Sequence, residues 1–113
     1  MDNLIERGML FDFYGDLLTE HQQKIYSSVI SDDLSLSELS EEEGISRQGI
    51  HDIIRRCDKL LQGYEEKLGL VDKFRRIKLK ISEIDREIDS EKSMSEQAKA
   101  RIKAELQEII GDL

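Results

Sequence analysis

The 113-residue chain has no Pro, no Trp and a single Cys. Each shortage excludes something. One Cys cannot form an internal disulfide, so a reducing cytoplasmic setting is expected. No CxxC pair occurs, and the two His, His21 and His51, lie thirty positions apart with no ligand at metal spacing. Neither a structural zinc site nor any other metal or cofactor is therefore expected. The apolar runs are short; Met9–Phe11 is among the longest. A membrane span needs about 20 apolar residues, so membrane insertion is not expected. The opening Met1-Asp2-Asn3 has no basic stretch followed by an apolar one, so no secretory signal is expected. No GxxxxGK[ST] loop is present, so the chain is not expected to be a GTPase, nor an enzyme of another kind. Absence of Pro beside 37% charged residues favours helices.

Charge is present in quantity but unevenly placed. The net is −8, and residues 1–70 carry all of it, with seven basic and fifteen acidic side chains. Residues 71–113 hold ten of each. Surplus acid opposes phosphate binding, which Lys and Arg drive. Two stretches are nevertheless basic: residues 46–60, with Arg47, Arg55, Arg56 and Lys59, and residues 71–80, with Lys73, Arg75, Arg76, Lys78 and Lys80. The acid is clustered at Asp32-Asp33 and Glu41-Glu42-Glu43. The second cluster closes a helix, where negative charge is unfavourable, and is expected to be solvated surface. Cys57 falls on an apolar stripe with no base near it in sequence, so a buried, inert thiol is expected.

Apolar residues recur at helical spacing throughout. A first helix is expected over about 3–17, its stripe running from Leu4 and Ile5 to Leu17, with Gly15 as an early stop. Thr19 and Gln22 form a capping box that starts a second helix at Glu20. The Ser31-Asp32-Asp33 segment reads as a turn. Ser35 and Glu38 cap a short third helix over about 36–42. Gly44 follows as its left-handed stop. Ser46 caps a fourth helix over about 47–68, with Ile50, Ile53, Ile54, Cys57, Leu60, Leu61 and Tyr64 inward, Gly63 as a weak point and Gly69 as its end. Beyond it, Leu70, Phe74, Ile77, Ile81, Ile84 and Ile88 follow a 4-3-4-3-4 heptad pattern. After a polar break at 89–93, Ser93 and Glu96 read as a capping box for a last helix carrying Ala98, Ile102, Leu106, Ile109, Ile110 and Leu113.

The most informative unit is residues 34–61: a capped short helix, a tight Gly44-Ile45-Ser46 turn and a longer helix with a polar start. That is the layout of a helix-turn-helix. Gly44 permits the turn, Ile45 plugs the angle between the helices, and Ser46 satisfies free N–H groups at a terminus that attracts phosphate. The candidate nucleic-acid-binding residues are Arg47, Gln48, His51, Asp52, Arg55, Arg56 and Lys59. Arg47 suits guanine and Gln48 suits adenine. Arg56 and Lys59 suit phosphates. Asp52 would repel phosphate unless Arg55 or Arg56 pairs with it. Gly49 inside the helix costs stability but admits a close approach. Helix-turn-helix units also serve as protein-binding modules, so a protein-only role stays open.

The stretch Leu36-Ser37-Glu38-Leu39-Ser40-Glu41-Glu42-Glu43-Gly44-Ile45-Ser46-Arg47-Gln48 resembles the domain of bacterial sigma factors that reads the minus-35 promoter element. Asp12 to Glu20 and Glu66 to Leu70 resemble the YlxM family more closely. The likeness covers residues 1 to about 75; the C-terminal helices match only in character. His51 and Ile53 stand where that family usually has Tyr and Asn. The resemblance implies a four-helix sigma-like head and a regulatory role near the signal recognition particle, with DNA or the particle's RNA and its GTPases as partners.

The expected protein is all-α, with a sigma-like helix-turn-helix head over 1–70 and a two-helix amphipathic extension over 71–113. The extension is expected to fold as a hairpin or to pair with a second chain, giving a homodimer.

Overall fold

The computed structural model describes residues 3–31 and 34–113, and every regular element in them is helical. The Asp32-Asp33 turn lies outside the described residues. The helices are α1 (Asn3–Tyr14), α2 (Glu20–Ser31), α3 (Leu36–Glu43), α4 (Arg47–Leu68), α5 (Leu70–Ser90) and α6 (Glu96–Gly111). A single 3₁₀ turn, Gly15–Leu17, follows α1. The chain divides into two compact units, Met1–Val71 and Asp72–Leu113.

In the first unit α4 is the central helix, packed by α1, α2 and α3. The core holds Leu10, Tyr14, Leu18, Ile25, Tyr26, Leu39, Ile50, Ile54, Cys57, Leu61 and Val71. The sequence periodicity explains why these residues meet. Ile50, Ile54, Cys57 and Leu61 recur at three and four positions, so one stripe of α4 faces the other helices.

Caps set the helix starts. The Thr19 hydroxyl accepts from Gln22 N–H at 3.1 Å, and Gln22 Oε1 accepts from Thr19 N–H at 3.0 Å. Ser35 and Glu38 exchange the same pair of bonds. Both capping boxes stand where the spacing predicts them. At the far end of α4, Gly69 is left-handed and α5 begins at once. The Tyr14 hydroxyl donates to Glu65 Oε1 at 2.5 Å and accepts from Leu70 N–H at 3.0 Å. Glu65 Oε1 also accepts from Val71 N–H at 3.0 Å. Two otherwise orphaned donors of the α5 start are thus satisfied by side chains of α1 and α4.

Several expectations need correction. The first helix stops at Tyr14, just before the early-stop Gly15 and not at Leu17, and Leu17 is 57% exposed rather than part of the inward stripe. Leu4, Ile5 and Leu60 are exposed as well. Gly63 does not interrupt α4. The heptad does not start at Leu70, which is exposed; Val71 is the buried residue and belongs to the core of the first unit. Ser93 does not cap the last helix. Its N–H and hydroxyl both donate to Glu91 Oε1, and Ser95 accepts from Ala98 N–H at 3.1 Å instead.

In the second unit α5 runs to Ser90, with Ile81 and Ile88 buried. Asp89 and Lys103 form an ion pair that ties α5 to α6 across a five-residue connection, so the two helices fold back on each other. No residue of α6 is fully buried, and Ile109 is 50% exposed. The apolar side of this helix is therefore only half covered within the chain.

Candidate nucleic-acid interface

The turn between α3 and α4 is built as the sequence suggests. Gly44 has φ +67°, a left-handed conformation that its missing Cβ makes cheap. Ile45 N–H donates to Ser40 O at 3.2 Å, and the Ser40 hydroxyl donates back to Ile45 O. The turn is thereby pinned to α3, and Ile45 packs on the core. Ser46 accepts from Gly49 N–H at 3.0 Å and opens α4. A Cβ on Gly49 would lie 2.6 Å from Ile45 Cγ2, so Ile45 fills the space over Gly49. The close approach at Gly49 is thus made by the turn's own Ile.

Ile50, Ile54, Cys57 and Leu61 face the core, which turns the opposite side of α4 to solvent. Arg47, Gln48, His51, Asp52, Arg55, Arg56 and Lys59 are all exposed there. The structure brings three of them together: Asp52 Oδ1 accepts from Arg55 at 3.0 Å and from Gln48 Nε2 at 3.2 Å. Asp52 is thus paired with Arg55, and the Gln48 amide is bonded to it as well. Arg47, Arg56 and Lys59 form no ion pair among the described residues. Four cations face outward against one carboxylate.

Asp58 counts against the basic character of this helix in a linear tally, yet it is committed elsewhere. It accepts Arg7 Nε at 3.1 Å and a second Arg7 nitrogen at 2.8 Å, and it accepts the hydroxyl of Tyr26. Burial, and then the bond to Asp58, hold the Tyr26 phenol above the ordinary tyrosine range. Asp58 clamps α1 and α2 onto α4, and a bidentate Arg pair is a strong form of that clamp. Helical phase carried this signal: Asp58 lies four residues after Ile54 and three before Leu61, on the border of the inward stripe.

The acidic end of α3 is also less solvated than its charge suggests. The Glu43 side chain is only 9% exposed, with Lys24 Nζ at 2.9 Å and His21 Nε2 at 3.3 Å. The Lys24 bond holds the Glu43 carboxyl below the usual carboxylate range. Expected exposure holds for Glu41 and Glu42 and fails for Glu43. Two helices meet there, and the carboxylate gains a cation from α2. His21 is still largely solvated but has a carboxylate partner that its sequence surroundings do not show. Cys57 is fully buried, and burial pushes its thiol up.

A capped short helix, a left-handed glycine turn and a longer helix with an open polar start define a helix-turn-helix protein. A family profile described as "Putative helix-turn-helix protein, YlxM / p13 like" matches residues 1–103. A UPF0122 protein of Clostridium perfringens is 43% identical over 113 residues, covering 97% of this chain and 98% of its own. A UPF0122 protein of Symbiobacterium thermophilum is 40% identical over 99 residues, covering 87% and 92%. One of Acetivibrio thermocellus is 46% identical over 90 residues, covering 80% and 77%. The chain belongs to the UPF0122 family of YlxM-like helix-turn-helix proteins. Among the described residues no helix is long and apolar enough to cross a membrane.

Proposed function

We propose that the chain is a DNA-binding regulator of the cytoplasm that reads the major groove with the opening turns of α4. The observation that carries this reading is the open start of α4. Ser46 caps it, Gly44 and Ile45 set its angle, and Arg47, Gln48 and His51 project away from the buried stripe. Helix N-termini of this kind accept phosphate, and the side chains of the first turns reach base edges. Arg47 suits guanine and Gln48, once released from Asp52, suits adenine, while Arg56 and Lys59 further along suit the backbone. The action is binding, not catalysis. Anisotropy titration with labelled duplex tests it: affinity should fall steeply with salt, and Arg47→Ala with Gln48→Ala should weaken binding at least tenfold. Binding that ignores both salt and the double variant would refute it.

The surplus acid of residues 1–70 favours a second reading. In it the chain is an adaptor of the signal recognition particle, with the acidic clusters and Lys73–Lys80 facing its GTPase or RNA. A pull-down with the purified particle that recovers neither component would count against it. In both readings two copies pair through the half-covered apolar side of α6 and the seam of α5 beside it. On duplex DNA such a pair would hold two α4 helices about 34 Å apart, one helical turn. Sedimentation that finds only monomer at micromolar concentration would remove the pairing.

A further inference from the structure

Gln48, Asp52, Arg55 and Lys59 stand four, three and four positions apart, so they form one line down the solvent side of α4. Asp52 is the one acid in that line. Residues 47–60 hold one other acid, Asp58, and it is engaged by Arg7 and Tyr26. The Asp52 side chain is half exposed, and with Arg55, Arg56 and Lys59 it borders one shallow depression. Its Oδ1 takes both bonds, from Arg55 at 3.0 Å and from Gln48 at 3.2 Å. Among the described residues its Oδ2 has no hydrogen-bond partner. The two bonds differ in strength. Arg55 donates from a guanidinium and Gln48 from a neutral amide, and a charge-assisted bond is roughly twice as strong as a neutral one. A base that competes for this line therefore displaces Gln48 first and leaves Arg55 in place. Arg55 then offsets the carboxylate's charge beside DNA and holds its direction.

We infer that Asp52 selects a cytosine in the duplex that α4 reads. This selection rests on α4 binding DNA and adds a rule for which sequence it prefers. A carboxylate only accepts hydrogen bonds. In the major groove guanine offers N7 and O6 and thymine offers O4, all acceptors, so each would oppose the anion. Adenine sets an acceptor, N7, beside its N6 amino group, whereas cytosine offers the N4 amino group alone. Cytosine is thus the base that a carboxylate meets without an opposing acceptor. Exclusion matters as much as attraction: an anion pressed against O6 or O4 loses its water and gains no donor. Four residues of helix separate Asp52 from Gln48, a rise of about 6 Å. Base pairs stack at about 3.4 Å, so the cytosine lies within about two base pairs of the adenine that suits Gln48.

The test is enrichment and sequencing of a randomised duplex library on the full chain, as wild type, Asp52→Ala and Asp52→Asn. Wild type should enrich a C·G pair in the register of Asp52 by about tenfold or more over A·T and T·A. Asp52→Ala should flatten that pair to within about twofold among the four possibilities. Arg47 selects a C·G pair of its own through guanine, and Asp52→Ala should spare it. Asn carries a donor beside its acceptor and binds adenine bidentately, so Asp52→Asn should move the Asp52 pair from C·G to A·T. A merely structural Asp52 would not produce that exchange. If no C·G pair responds to Asp52→Ala, the inference is overturned and α4 remains the reader. An A·T pair that responds in its place overturns it too. Flattening of the whole motif by Asp52→Ala assigns Asp52 to holding the helix and overturns it as well. If wild type enriches no sequence, the reading of α4 has failed and this one falls with it.

Discussion

Replacing Gly63 by Ala should stabilise the protein, and the same change at Gly49 should destabilise it. Both glycines lie inside α4 and have helical backbones. Ala is the better helix former by about 1 kcal/mol, so propensity alone predicts a gain at both. Surroundings decide the difference. Nothing lies within 4 Å of a Cβ on Gly63. The gain there is realised in full, about 1 kcal/mol, or roughly 4–8 °C in Tm for a cooperative unit of this size. A Cβ on Gly49 would meet Ile45 Cγ2 at 2.6 Å and Ser46 Oγ at 3.2 Å. Carbon atoms pack comfortably at about 3.5–4.0 Å, so the first contact is short by about 1 Å. Cγ2 sits on the branched β-carbon and cannot swing clear without a new χ1 or a backbone shift. Overpacking of this kind costs about 1–3 kcal/mol, and disturbing the Ser46 cap adds up to about 1 kcal/mol. The net effect at Gly49 is a loss of about 1–3 kcal/mol. Thermal and urea unfolding of both variants measure it. An Ile45→Ala background should cancel the loss, because it removes Cγ2, and the double-mutant cycle should then show a coupling of at least about 1 kcal/mol. A Gly49→Ala variant that gains stability as Gly63→Ala does would refute the close-packed turn.

Tyr26→Phe should cost about 1–3 kcal/mol in urea unfolding, since it strips a hydroxyl from the buried side of Asp58. It should also remove part of the alkaline instability: burial raises the folded phenol's pKa, so its contribution is complete below about pH 10 and is lost as pH rises beyond that. The Glu43 carboxyl, held low by Lys24, works on the other side. Its contribution is complete above the ordinary glutamate value of about 4.3 and is lost as pH falls through the lower folded value. A Glu43→Gln variant should therefore be less stable than wild type at pH 7, with the gap closing towards pH 3. A constant gap across that range would contradict the pairing. Cys57 should resist a thiol reagent in the native protein and react stoichiometrically after unfolding, because it is buried and its thiol is pushed up.

Much of the helix-turn-helix was legible because its signals are local. The Ser35 cap, the left-handed Gly44 and the Ser46 cap each depend on residues at most five positions apart. Cys57 and the outward set from Arg47 to Lys59 follow from helical phase, which is equally local. What could not be read depends on partners distant in sequence. Asp58 is 51 residues from Arg7 and 32 from Tyr26, so linear charge counting assigns it to the surface. Glu43 and Lys24 meet only because α2 and α3 pack together. Choosing Ser93 over Ser95 as the last cap failed for a different reason. Both serines precede a suitable helix start, and Glu91, two residues before Ser93, decides between them. Likewise Leu70 and Val71 are adjacent apolar residues, and the Tyr14–Glu65 pair fixes which of them turns inward.

The central claim is that the solvent-facing side of α4 touches DNA. An amide NMR titration of the full, isotope-labelled chain with a 20-base-pair duplex tests it most directly. The account predicts the largest shifts at Ser46 to Arg56, smaller ones near Lys59, and none at the Asp58 clamp or at Glu43. Shifts confined to α6, or no shifts at low salt, would contradict it.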